Sequence, residues 1–355
     1  MQKNTASENF PEREVRYQYS NNLVPLLMQL NASLLLSTYQ AGKLVVVGVH
    51  DQALQISFHN FEQAMGVAAS SKQIAVGGKD WIYFLKNAPE LAASVGEPNT
   101  HDACFLTRGA HYTSEIAVHE LAWGTEQLVV TNTRFSCLCS LDNNYSFVPQ
   151  WRPDFVQELA PEDRCHLNGV ALVNGYPKYA TVLDRTNTAG GWRPHKATNG
   201  CVLELPTSKV VTQGLAMPHS PRVRDDQLWV LNSGCGELCR VDLSSGERST
   251  VLELPGYPRG LAIAGQFAFV GLSKVRETAT FGNLPICDHF DDLKCGMAVV
   301  DLNAGKQLGL LEFQSGVDEI FDVQILPGIR NPFFSGPYAI ADGNPPIWMV
   351  PSSAQ

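Results

Sequence analysis

His119-Glu-Leu-Ala-Trp123, Leu128-Val-Val-Thr-Asn-Thr133 and Cys137-Leu-Cys-Ser-Leu-Asp142 follow one another as three short apolar strands separated by turns, the last ending in an acid. The same pattern returns as Arg222-Val-Arg-Asp-Asp-Gln-Leu-Trp-Val-Leu-Asn-Ser233 and Glu237-Leu-Cys-Arg-Val-Asp242. A unit of about 40 to 60 residues built from four short strands is the sequence signature of a β-propeller blade. The chain therefore reads as all-β, a single β-propeller of four-stranded antiparallel blades. Any chemistry should then sit where the innermost strands converge on the axis.

Innermost strands are expected to begin near Leu23, Gly66, His119, Asn168, His219, Gly260 and Glu319, so seven blades fit the chain. Six result if the apolar stretch from Leu23 to Leu30 is a short helix instead. Residues 87–112, 184–199 and 274–294 lack strand alternation and carry Pro, Gly, Asn and Asp, and read as long insertions that cover one end of the ring. The last unit offers Glu319-Ile-Phe-Asp-Val-Gln-Ile-Leu326, Gly336-Pro-Tyr-Ala-Ile-Ala341 and Pro346-Ile-Trp-Met-Val350, one strand short of a blade. The alternating Glu14-Val-Arg-Tyr-Gln-Tyr19 is expected to supply the missing outer strand and close the ring without an unpaired edge.

With 355 residues, 44% of them hydrophobic and 17% charged, the chain can bury an extensive core, and no linker divides it, so one domain spanning 1–355 is expected. A balance of 26 basic against 35 acidic residues argues against nucleic acid and anionic lipid as partners. No apolar run reaches bilayer length and the first ten residues lack a signal-peptide core, which predicts a cytoplasmic protein. Nine cysteines, scattered on apolar strands, are expected to be reduced and mostly buried.

The expected starts of the inner strands are rich in ionisable groups. Five consecutive blades present His119 and Glu120, His166 with Asn168, His219 with Arg222, Arg259, and Glu319 with Asp322. Gathered in one pocket, they supply imidazoles that exchange protons near neutral pH, carboxylates that orient them, and guanidinium groups that hold an anion. The bland alternative is that each bonds a neighbouring blade or forms a buried pair that sets blade angles. Buried charge is costly, so its recurrence at matching positions favours the pocket.

Imidazoles from adjacent blades could also ligate a divalent metal, with His119, His166 and His219 as the set. No phosphate loop, dinucleotide fingerprint or Gly-Xaa-Ser-Xaa-Gly elbow occurs, so no nucleotide cofactor is expected. Most tryptophans fall on strands and read as wedge fillers; Trp192, beside Arg193 in an insertion, reads instead as a substrate contact.

The strings Ser37-Thr-Tyr-Gln-Ala-Gly-Lys-Leu44, Asp163-Arg-Cys-His-Leu-Asn-Gly169, Met217-Pro-His-Ser-Pro-Arg222, Leu254-Pro-Gly-Tyr-Pro-Arg-Gly-Leu261 and Glu319-Ile-Phe-Asp-Val323 resemble a bacterial family of conserved proteins of unknown function, some fused to tetratricopeptide repeats. The resemblance implies no activity, though it makes a protein partner plausible. More remotely, Asn168-Gly-Val-Ala171 and Leu228-Trp-Val-Leu-Asn232 resemble the lactonase, regucalcin and strictosidine-synthase-like propellers. That resemblance implies an ion held by Glu, Asn and Asp, with Asn168 as one ligand; here His219 stands where an acid would be expected.

These residues together point to an enzyme performing acid–base chemistry, whether hydrolysis, cyclisation or isomerisation, on a small polar, carboxylate-bearing or peptide substrate. His119, Glu120, His166, His219, Glu319 and Asp322 would carry the catalysis, and Asn168, Arg222, Arg259, Trp192 and Arg193 would bind substrate. The alternatives are a non-catalytic scaffold or ligand sensor, and a metal-dependent oxygenase with histidine ligands.

Overall fold

The computed structural model describes residues 14–275, 282, 284–290 and 292–351. Its strands form six sheets around one axis, each of four antiparallel strands counted outward from the axis, with a fifth strand added to two of them. Blade 1 holds Asp322–Pro327, Ala32–Thr38, Lys43–His50 and Ala53–Asn60. Blade 2 holds Val67–Ala69, Gln73–Gly77, Trp81–Asn87 and Ala103–Tyr112, with Pro332–Ser335 running parallel along its outer edge. Blade 3 holds Val118–Trp123, Leu128–Asn132, Cys137–Asp142 and Tyr145–Trp151; blade 4 holds Gly169–Val173, Tyr176–Val182, Gly200–Glu204 and Lys209–Leu215. Blade 5 holds Pro218–Arg224, Gln227–Asn232, Glu237–Val241 and Arg248–Glu253. Blade 6 holds Tyr257–Ala264, Phe267–Ser273, Gly296–Asp301 and Lys306–Ser315, with Arg16–Tyr19 outside it. The six innermost strands contact one another in cyclic order, which closes the ring.

Propeller strands are buried on both faces because each sheet is packed between two others. In blade 1, Leu34 and Leu36 face blade 6 while Leu35, between them, faces blade 2, and all three are fully buried. In blade 5, Val230 packs toward blade 4 and Leu231 toward blade 6. This two-sided burial explains why the strands read as continuous apolar runs rather than alternating ones. It also yields one hydrophobic cluster per pair of neighbouring blades, six in all, between blades 6 and 1, 1 and 2, 2 and 3, 3 and 4, 4 and 5, and 5 and 6.

The seven-blade expectation is corrected to six. Leu23–Leu30 is a helix, not an inner strand: Leu23, Val24, Leu26 and Leu27 form a buried stripe at helical spacing that seals the seam between blades 6 and 1. Asn31, in the left-handed region at φ 48°, caps it by donating its N–H to Leu27 and Met28 carbonyls. Closure also differs from expectation. The C-terminal part gives only one strand to blade 1, the innermost Asp322–Pro327, which pairs with Ala32–Thr38 from Ser37 opposite Asp322 to Ala32 opposite Pro327. Residues 336–341 and 346–350 form turns and irregular chain, and Arg16–Tyr19 adds a fifth strand to blade 6 instead of completing a blade. Of the insertions, 87–112 contains the outer strand of blade 2, 184–199 is a loop, and 274–294 falls partly outside the described residues.

Side chains and backbone groups stitch the inner strands into a ring. Asp322 of blade 1 accepts the Val67 N–H of blade 2 at 2.8 Å, and Gly66 donates its N–H to Val118 of blade 3 at 3.1 Å. Glu120 accepts the Val170 N–H of blade 4 at 2.9 Å, and Asn168 donates to the Pro218 carbonyl of blade 5 at 3.0 Å. Ser220 accepts the Gly260 N–H of blade 6 at 3.1 Å. At the last seam the approach is so close that a Cβ on Gly260, whose φ is +80°, would lie 2.5 Å from the Val323 nitrogen. Among the described residues no helix is long and apolar enough to cross a membrane, and all nine cysteines are free, seven of them buried.

Candidate functional site

All six inner strands run the same way along the axis, so their N-terminal ends define one mouth of the channel, here the upper one. Three histidines stand at it, each held through Nδ1. In blade 3, Ala117 adopts φ 53° and turns its carbonyl back onto His119 Nδ1 at 3.2 Å. Thr133 Oγ1 lies 2.8 Å from the same nitrogen and 2.6 Å from the Leu167 carbonyl. A hydroxyl has one proton and a carbonyl none, so Thr133 donates to Leu167 and His119 must donate from Nδ1. Blade 5 repeats the device: Met217 at φ 47° presents its carbonyl to His219 Nδ1 at 2.9 Å, with Ser233 Oγ at 3.0 Å in the place of Thr133.

His166 sits just ahead of the blade 4 inner strand at φ 50°, and its Nδ1 donates to the Asp163 carboxylate at 2.9 Å. Asp163 also accepts the Trp192 indole N–H at 3.0 Å. A carboxylate on one nitrogen fixes the imidazole tautomer and leaves the other nitrogen basic. All three histidines therefore donate from Nδ1, and the neutral ring of each carries its lone pair on Nε2.

Contacts join these groups across blades. The His119 and His166 rings are 4.8 Å apart edge to face, and Trp192, 1% exposed, lies 4.4 Å from His166. Phe321, at the start of blade 1, is 5.3 Å from His119 and stacks on Tyr39 at 5.7 Å. The Arg259 guanidinium of blade 6 lies over the Phe321 ring at 3.4 Å and pairs with Glu319 at 3.4 Å. His219 lies 6.0 Å from the Tyr257 ring. Burial, then the charges of His166 and Arg259, hold His119 well below the usual histidine range; burial, then Arg259 and His166, do the same to His219. Both are neutral at neutral pH.

A second layer lies one step further along the strands. Arg222 of blade 5 pairs with Glu120 of blade 3, and burial, opposed by Arg222 and reinforced by Asp322, pushes Glu120 up to about 7. Asp322 has both oxygens on backbone N–H groups, of Val67 and Val323, each at 2.8 Å. Asn168 is committed to Pro218 and to the Thr181 hydroxyl at 2.6 Å.

Of the residues singled out in the sequence, His119, His166, His219, Arg259, Glu319 and Trp192 thus gather at the upper mouth. Arg193 reaches its rim, stacked on Trp192 at 4.7 Å. Glu120, Arg222 and Asp322 form the deeper layer, and Asn168 tethers blades 4 and 5. Sequence reasoning did not single out Asp163, Thr133, Ser233, Tyr39, Tyr257 or Phe321. Asp163 had one available signal, its place three residues before His166, and Phe321 lies between Glu319 and Asp322.

The metal set of His119, His166 and His219 is not assembled: among the described residues no three His, Cys, Asp or Glu side chains are arranged to hold a metal ion. This removes the ligand set on which the histidine-ligated oxygenase reading depended. Asn168 is likewise bound between blades rather than grouped with acids, unlike the ion ligand that the remote resemblance implied.

A family model described as a domain of unknown function, DUF4915, matches residues 21–334. The chain belongs to the DUF4915 family. No curated protein matches this DUF4915 chain. Among solved structures it is similar to a chain in the crystal structure of a nidogen/laminin complex, with a TM-score of 0.53 at 10% identity over 84% of this chain and 98% of that one. It is also similar to a protein of unknown function from Bacteroides caccae, with a TM-score of 0.51 at 12% identity over 83% of this chain and 98% of that one. Identities this low speak to the fold alone, and the family assignment agrees with the resemblance to an uncharacterised family read from the sequence.

Proposed function

We propose that this DUF4915 protein is an enzyme whose upper axial pocket moves protons on a small polar substrate carrying a carboxylate or developing an oxyanion. The observation that carries the reading is the common tautomer of His119, His166 and His219, each with Nδ1–H engaged by the protein and Nε2 left as a base. His166 is the leading general base because Asp163 orients it and offsets the charge it gains on taking a proton. Protonated His166 returns that proton to the product, and His119, its ring 4.8 Å away, and His219 are further bases in the pocket. Arg259 holds the anionic group, exchanging part of its contact with Glu319 for the substrate. In this reading Glu120, Arg222, Asp322 and Asn168 act from the second layer by fixing the blades, and Trp192 and Arg193 wall the pocket. Hydrolysis, cyclisation and isomerisation all use such a set.

A ligand sensor without turnover is the second reading, favoured by the Arg259 charge being already paired with Glu319. A thermal-shift screen of small carboxylates, followed by product analysis of the hits, separates the two. In either case Arg259→Lys should weaken the carboxylates that bind by about 10- to 100-fold, the worth of a charge-assisted hydrogen-bond pair. Equal affinity for wild type and Arg259→Lys would remove Arg259 as the anion clamp.

A further inference from the structure

The lower mouth, where the inner strands end, holds a separate cavity of about 250 Å³. Ala68, Trp123, Leu172 and Val223 wall it, from blades 2, 3, 4 and 5, and Glu120 and Arg222 line it where it meets the buried layer. Trp123, Leu172 and Val223 lie downstream of His119, His166 and His219 along blades 3, 4 and 5, so the cavity opens away from the histidines.

Its charges do not balance. Glu120 and Asp322 share one guanidinium, Arg222, whose charge acts on both. Asp322 is 2% exposed and Glu120 4%, so solvent does little to spread the excess negative charge. On the other side of the axis Arg259 is matched by Glu319 and leaves no surplus. Beyond Glu120 and Arg222, the side chains lining the cavity are apolar except for Gln324, whose amide N–H donates to Asp322 at 3.2 Å, and the Trp123 indole, whose N–H is already donated to the Ala68 carbonyl at 3.1 Å. A ligand that fits this lining brings one positive charge to Glu120 and an alkyl portion for Leu172 and Val223. The Trp123 ring adds an aromatic wall suited to a cation. A bare alkali ion supplies the charge and leaves the apolar space unfilled.

We propose that the lower axial cavity binds a protonated primary amine on a short alkyl chain, with its ammonium group at Glu120. Ammonium binding requires ionised Glu120. Because burial and Asp322 hold that carboxyl at about 7, binding strengthens as pH rises through neutrality and releases a proton below it.

Calorimetry of the full chain with n-butylammonium chloride tests this, with 1-butanol and potassium chloride as the other arms. Saturable binding is expected that is about tenfold tighter at pH 8 than at pH 6, is absent for 1-butanol and is not displaced by equimolar potassium. Leu172→Trp, which fills the cavity from its wall, should abolish binding while the protein stays folded, and Glu120→Gln should weaken it at least tenfold and remove its pH dependence. No heat from n-butylammonium at millimolar concentration, equal binding of 1-butanol, displacement by potassium, or unchanged binding in a folded Leu172→Trp variant would each overturn the proposal.

Discussion

Removing residues 322–335 is expected to abolish cooperative folding. The excision takes away the innermost strand of blade 1, a strand the rest of that blade reaches only through sequence separated from it by almost the whole chain. Val323 and Leu326 are fully buried, and Leu34, Leu35 and Leu36, also fully buried, would lose the strand that covers their axial side. At about 1.5 to 3 kcal/mol for each large apolar side chain returned to water, these losses approach the whole of a typical folding free energy of about 5 to 15 kcal/mol. The Asp322 bond to Val67 disappears as well, so blade 2 loses its anchor to blade 1. Thermal unfolding followed by circular dichroism should show no cooperative transition. Deleting residues 14–19 is the control: Arg16–Tyr19 lies exposed on the outside of a blade that already has four strands, so the ring should survive with reduced stability. A cooperative transition near that of wild type after removal of 322–335 would show that blade 1 does not close through its inner strand.

The largest effect on activity is expected at His166 and at the carboxylate behind it. For a substrate identified by turnover, His166→Ala should lower kcat by about 10²- to 10⁴-fold, the usual worth of a positioned general base. Asp163→Asn tests the same step without touching the imidazole. An asparagine amide can donate to Nδ1, which favours the tautomer with hydrogen on Nε2 and so removes the base. A loss of about 10²-fold in kcat is expected, with KM little changed because Arg259 still holds the anion. The asparagine oxygen can keep the bond from the Trp192 indole, so thermal stability should move far less than turnover. Unchanged turnover in His166→Ala and His219→Ala together would remove the acid–base assignment.

Much of this architecture was legible in the residues, for physical reasons that can be named. Runs such as Leu228-Trp-Val-Leu-Asn232 are apolar throughout because both faces of a blade are buried, and their recurrence marked six true inner strands. Leu23–Leu30 misled because eight apolar residues satisfy either a doubly buried strand or one side of a short helix, and only its packing across the seam between blades 6 and 1 decides between them. The closing strand was misassigned for a different cause: nothing local says which of several strands pairs with a partner nearly 300 residues away. The tail from Gly336 onward looked strand-like, yet Pro337, Pro345 and Pro346 lack the N–H donors that a ladder needs, and Trp348 ends 80% exposed.

The site was legible as residue types at matching positions but not as two layers. Along an inner strand neighbouring side chains point different ways. His119 therefore stands at the upper mouth, while Glu120, its neighbour, holds Val170 and Arg222 below. Asp163 was hidden because its partnership with His166 depends on a turn in which both residues take positive φ, 47° and 50°, a geometry that spacing does not announce. The conditional metal set of His119, His166 and His219 is not assembled among the described residues for a related reason: histidines on adjacent blades share a mouth without converging on one point.

The central claim is that the ring fixes three imidazoles through Nδ1 and leaves Nε2 as the base atom. Long-range proton–nitrogen NMR of the histidine side chains, assigned with single His→Gln variants and followed from pH 8 to pH 5, tests it most directly. The account predicts the Nδ1–H tautomer for His119, His166 and His219, with His119 and His219 still neutral as the pH falls through the ordinary histidine value of 6.5. Protonation of His119 and His219 at that ordinary value, or hydrogen on Nε2 in the neutral rings, would contradict it.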